Sequence, residues 1–150
     1  MAVKNSIPSQ LHNPVSASVT LTNADGTGWK NLLAVASGDN SQETFLYSIT
    51  LTNTDTIAHD VLFAIYNGTT SYVEGGITIG AQTGASVAYP PVQLVANRTT
   101  PILNRIFKDA NGNFFIPVRP GETLQVSVPV AVTGGYVVTA TVSGWNFVRS

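Results

Sequence analysis

Cysteine is absent from this 150-residue sequence, which excludes disulfides and thiolate metal sites. A domain of this length can bury roughly 68–70% of its unfolded surface and needs no such staples. Charge is also scarce. Asp, Glu, Lys and Arg make up only 10% of the residues, against about 25% in an ordinary soluble protein. Much of the outer surface must therefore be Thr, Ser, Asn and Gly. Such a surface packs readily on other neutral surfaces, because few charges have to be desolvated, so oligomerisation or assembly is expected. The basic residues Lys4, Lys30, Arg98, Arg105, Lys108, Arg119 and Arg149 are dispersed and the net charge is -1. That leaves no basic stripe for phosphates, and no nucleic-acid partner is expected. No apolar run approaches the ~18 residues of a membrane span. Met1 to Asn13 lacks the apolar centre of a secretory signal, so neither a membrane partner nor standard export is expected.

What is present is a period-2 pattern. Residues 1–15 read as an extended N-terminal arm, with Pro8, Pro14, Asn5 and Ser6 around isolated Ile7 and Leu11. It is either a frayed end or a tether that orders on a neighbouring subunit, with Lys4, Ile7 and Leu11 as its contact residues. Residues 16–150 read as one domain. Ala17, Val19 and Leu21 alternate with hydroxyl residues, and Trp29 to Ala36 holds a short buried strand. Phe45, Tyr47, Ile49 and Leu51 are expected on a core face opposite Ser48, Thr50 and Thr52. Val61, Phe63 and Ile65 follow, and Asn67-Gly68 predicts a two-residue type I′ hairpin. Pro101 to Phe107 places apolar residues at helical spacing and predicts a single helical turn. Asn111-Gly112 and Pro120-Gly121 supply further turns, the second of type II, and Tyr136 to Val142 is the last strand. About eight short antiparallel strands predict a β-sandwich of jelly-roll type, with an immunoglobulin-like sandwich as the alternative.

Equipment for catalysis is missing from the sequence. The two histidines, His12 and His59, have no ligand spacing and read as solvated loop residues. Asp109 to Asn113 opens like a calcium loop, but Phe114 and Pro120 stand where an EF-hand needs Gly and Glu. There is no nucleophile elbow, dinucleotide fingerprint or P-loop. A non-enzymatic protein with no cofactor and no metal is expected. Trp29, Tyr66, Tyr72 and Trp145 fall at strand ends, where they either plug the sandwich or present platforms for a sugar or a protein.

Several stretches carry a resemblance: Phe45 to Asp55 ending in Thr-Asn-Thr-Asp, Val61 to Tyr66 with Asn67-Gly68, Pro101-Ile102-Leu103, Gly112 to Val118, and Arg119-Pro120-Gly121-Glu122-Thr123-Leu124. In this order they resemble small all-β virion proteins of tailed bacteriophages, over roughly Leu32 to Phe147. The resemblance implies a particle component located in the virion, such as a capsid decoration protein. It implies a homotrimer of jelly rolls that contacts itself and the major capsid protein or other virion subunits. A tail, neck or fibre position, or a carbohydrate- or receptor-binding role, fits the same strands. No functional residue is transferred.

Overall fold

A computed structural model of the chain describes residues 12–37, 42–86, 88–95 and 103–148. Ten strands run in the order β1 (His12–Leu21), β2 (Lys30–Ala34), β3 (Gln42–Asn53), β4 (His59–Tyr66), β5 (Ser71–Ile79), β6 (Val92–Leu94), β7 (Phe107–Lys108), β8 (Phe114–Val118), β9 (Thr123–Ser127) and β10 (Val138–Val148). They form two antiparallel sheets. One has the order β1-β10-β3-β8-β7, with β6 also on β3, and the other has the order β2-β9-β4-β5. The pairs β1–β10, β2–β9, β3–β8 and β4–β5 nest as one long hairpin rolled over two sheets. That is the jelly roll expected, with β6 and β7 as additions to eight strands.

The core between the sheets is aliphatic, with Phe63 its only fully buried aromatic ring among the described residues. Leu21, Leu46, Ile49, Leu51, Val138, Ala140 and Val142 come from the larger sheet; Val61, Phe63, Ile65, Leu124 and Val126 face them from the smaller one. Side chains from both inner faces fill a layer roughly 10 Å thick.

Local expectations fail in four places. Residues 12–15, placed with the arm, are the start of β1, where Pro14 pairs with Trp145. The Asn67-Gly68 hairpin is not a two-residue turn. Tyr66 pairs with Ser71, leaving a four-residue loop, and the Asn67 side chain accepts the N–H groups of Thr69 and Thr70 at 2.9 Å. Only Gly68 has positive φ there, whereas type I′ needs it at both central residues. The helical turn near Leu103 is likewise not formed in its described part. Leu103 bridges to Gly75 and Asn104 N–H donates to the Glu74 carbonyl, so these groups are committed to sheet-type pairing; Pro101 and Ile102 lie outside the described residues. The fourth failure concerns the core face of β3. By contrast, the Arg119–Glu122 turn forms as expected, with Gly121 at φ 82° and Glu122 N–H donating to the Arg119 carbonyl.

Candidate functional site

Strict alternation from Leu51 back along β3 puts Phe45 and Tyr47 in the core. They are not there. Opposite Ser143 and Gly144 the register slips by one residue, so that Ser143 pairs with Ser48 but Gly144 pairs with Leu46, and Tyr47 is the extra residue of a β-bulge. A bulge reverses the phase of everything beyond it. Leu46 therefore takes the core position at 0% exposure, while Phe45 and Tyr47 turn to the outer face. Gly144 makes this geometry possible. A Cβ at that position would lie 1.9 Å from the Phe45 carbonyl oxygen and 2.8 Å from Leu46 Cα.

The consequence is a band of aromatic rings across the outside of the larger sheet, at the end where β1 begins. Trp145 on β10 stands opposite Phe45 on β3. Phe45 stacks on Phe115 of β8 with centroids 4.4 Å apart and meets Phe147 at 4.7 Å. Phe115 in turn meets Tyr47 at 5.8 Å and Phe107 of β7 at 6.2 Å. The band is open to solvent at both ends, with Trp145 41% and Phe107 49% exposed. Between Trp145 and Tyr47 the small residues Ser16, Ser143 and Gly144 floor a shallow depression of about 470 Å³ that Pro14 helps to line.

Toward the other end of the same face the rings give way to hydroxyls. Ser18 and Thr141 share a hydrogen bond at 3.0 Å, and Thr20 and Thr139 one at 3.4 Å. Among the described residues charge enters this face at its rim, at Glu43 opposite Phe147 and at Asp109 beside Tyr47. Tyr47 donates its phenol hydrogen to Asp109 at 3.2 Å; burial first, then this carboxylate, pushes the phenol pKa up, so Tyr47 stays a donor at neutral pH. The N–H groups of Asn113 and Asn111 hold the Asp109 carboxyl below the usual carboxylate value against some burial. Asp109 is thus the organiser of the β7–β8 turn, with both N–H groups on Oδ1 at 2.8–2.9 Å. Among the described residues no three His, Cys, Asp or Glu side chains form a cluster that could hold a metal ion.

Of the four aromatics expected as platforms, the structure brings only Trp145 into this band. Tyr66 and Tyr72 belong to the smaller sheet, Tyr66 donating to the Gly68 carbonyl at 2.9 Å and Tyr72 standing 55% exposed on β5. Trp29 is half-buried ahead of β2. Lys4, Ile7 and Leu11 lie outside the described residues. Phe45, Tyr47, Phe107, Phe115 and Phe147 were missed because period-2 reading assigns Phe45 and Tyr47 inward; the available signal was Gly144, a glycine inside a strand pattern.

The histidine expectation is overturned as well. His59 is 2% exposed, and its Nε2 meets Asp55 Oδ2 at 2.8 Å, with Asp55 itself at 0%. Asp55 also accepts Thr133 N–H at 2.8 Å and Thr56 N–H at 2.7 Å. Asn53 donates to the carbonyls of Ile57 and Gly80 and accepts Asp55 N–H. Burial pushes the Asp55 carboxyl up, but the bonds from His59, Thr133 and Thr56 outweigh it and hold the group well below the usual carboxylate range. His59 Nδ1 is buried and makes no hydrogen bond among the described residues. Three loops are pinned by this cluster, and none of its atoms faces a cleft.

A scan against protein-family models finds no match, and no curated protein sequence matches the chain.

Proposed function

We propose that this chain is a non-enzymatic virion structural protein, a capsid decoration protein that binds and stabilises a tailed-phage head lattice as a homotrimer. The observation that carries the reading is the aromatic band, where six rings are spent on an outer sheet face instead of the core. A face of rings and hydroxyls with charge only at its rim is built to be covered by another neutral surface. The buried Asp55–His59 pair supports the same reading, since the one histidine–carboxylate pair among the described residues is enclosed in loop packing. The motifs behind the phage resemblance are strand-end hardware in this fold: Asn53 and Asp55 lock loops, and Gly121 and Glu122 make a turn. They support the architecture, and the band supports a surface role.

Light scattering on the purified protein, followed by co-sedimentation with tailed-phage heads from its source, tests the proposal. A stable trimer that pellets with heads is the expected result, and a protein that ignores heads overturns it. A second reading is carbohydrate binding, favoured by the depression between Trp145 and Tyr47, where a sugar ring can stack and meet hydroxyls. A glycan array left blank at millimolar ligand removes that reading.

A further inference from the structure

Three steps among the described residues place a glycine after Asp or Asn: Asp25-Gly26, Asn67-Gly68 and Asn111-Gly112. Such a step is chemically weak, because glycine has no side chain to shield its amide nitrogen from the carbonyl carbon of the side chain before it. Both Asn steps are exposed, so hydroxide reaches each of them, and hydrogen bonding decides which one reacts.

The attacking atom is the glycine nitrogen, which must first give up its hydrogen. Gly26 N–H donates to the Asn23 carbonyl and Gly112 N–H to the Asp109 carbonyl, each at 3.1 Å. Deprotonation at either forfeits that bond and leaves the new anion facing a carbonyl oxygen. Gly68 N–H donates to no group among the described residues, and a Cβ there would meet nothing within 4 Å. The atom attacked is the side-chain carbonyl carbon, whose oxygen takes on negative charge as the nitrogen adds. Asn67 Oδ1 already accepts the N–H groups of Thr69 and Thr70, both at 2.9 Å. Two fixed backbone donors at that distance are what a developing oxyanion needs. The loop keeps them in place, since Asn67 N–H donates to the Thr70 carbonyl at 3.1 Å and the Tyr66 hydroxyl to the Gly68 carbonyl at 2.9 Å. Asn111 has no such pair of donors on its side-chain oxygen among the described residues.

We infer that Asn67 is a self-modifying residue, converted in the folded chain to aspartate and isoaspartate through a cyclic imide with Gly68, and that the fold selects it over Asn111. The deprotonated Gly68 nitrogen bonds to Asn67 Cγ, the bond from Cγ to the side-chain nitrogen breaks, and that nitrogen leaves as ammonia after taking up a proton from solvent. Water then opens the imide. Breaking the new bond to Gly68 nitrogen at Cγ gives aspartate; breaking the original main-chain bond to the same nitrogen gives isoaspartate. Ammonia leaves, water enters, and nothing is oxidised or reduced. Either product adds one negative charge to a chain whose formal net charge is -1. Aspartate keeps the N–H groups of Thr69 and Thr70 on a stronger acceptor, whereas isoaspartate lengthens the main chain of the β4–β5 loop by one methylene. The inference does not depend on which particle the protein joins.

The full chain, incubated at mildly alkaline pH and digested at intervals, tests this by mass spectrometry, since Arg98 and Lys108 separate Asn67 and Asn111 onto different tryptic peptides. In the folded protein Asn67 should convert about tenfold or more faster than Asn111, and in concentrated urea the two rates should approach each other. A folded-state ratio no larger than the ratio in urea overturns the inference. Asn67→Asp and Asn67→Ala check the geometry without waiting for the reaction. Asn67→Asp should melt like wild type because the carboxylate accepts the same two N–H groups, and Asn67→Ala should melt lower. Equal losses in both variants would show that these donors do not hold the side-chain oxygen, which also overturns it.

Discussion

The two ends of this sandwich solve opposite problems with the same strands. At the end where β3 passes into β4, polar side chains are driven inside: Asn53, Asp55 and His59 are at most 2% exposed and hold the flanking loops through their hydrogen bonds. At the end where β1 begins and β10 finishes, aromatic side chains are driven outside. The first end is held by hydrogen bonds within the chain, although Ile57 in the same loop is 45% exposed. The second leaves apolar area in water that only another surface can remove. Rigidity and assembly are thereby assigned to separate regions, and each can be attacked without the other.

The largest effect is expected at the closed end. Asp55→Ala leaves His59 and the N–H groups of Thr56 and Thr133 buried without their acceptor, a loss of about 3–5 kcal/mol by analogy with broken buried pairs. Urea unfolding measures it, and a loss under about 1 kcal/mol would mean that the loops hold without the cluster. The same carboxylate sets a pH signature. Because its folded pKa is depressed, its contribution is complete above the unfolded value near 4 and fades as pH falls toward the folded value. The stability gap between wild type and Asp55→Asn should therefore be widest at neutral pH and shrink between about pH 4 and 2. A gap that grows in acid would reverse the assignment.

Next in size is the bulge that creates the open end. Gly144→Ala places a methyl against the Phe45 carbonyl, and backbone cannot yield as a flexible side chain does. A cost of about 1–3 kcal/mol is expected, together with altered Trp145 emission as the neighbouring strand shifts. Gly134→Ala is the control, since a Cβ there meets nothing within 4 Å. Equal thermal midpoints for the two variants would show that the bulge is not tied to this glycine.

The closed end and the open end were legible in the sequence to different degrees. Alternation at Val61, Phe63 and Ile65 identified core strands correctly, because a half-buried strand has no freedom to present its apolar residues elsewhere. Strand count and turn residues were enough for a jelly roll. The band was not legible, since one extra residue at Tyr47 reverses the phase, and a bulge depends on what the partner strand offers at Gly144, nearly 100 positions away. The Asp55–His59 pair was also hidden. A polar loop segment reads as solvated unless one knows that Thr133, from a different loop, closes over it.

The smallest stability effect is expected at Phe107, and it distinguishes a face built for assembly from one that is merely apolar. The ring is half exposed and sits at the rim of the sheet on a two-residue strand, so Phe107→Ser removes little folded-state packing and should change stability by no more than about 0.5 kcal/mol. Phe63→Ala, a fully buried ring of the same size, should cost about 3–5 kcal/mol in the same assay. If Phe107→Ser also costs several kcal/mol in the dissociated protein, the band is part of the fold's own support. If stability holds while assembly weakens, the ring is maintained in water for the sake of what covers it, and the outer face of the larger sheet is where this protein meets its neighbour.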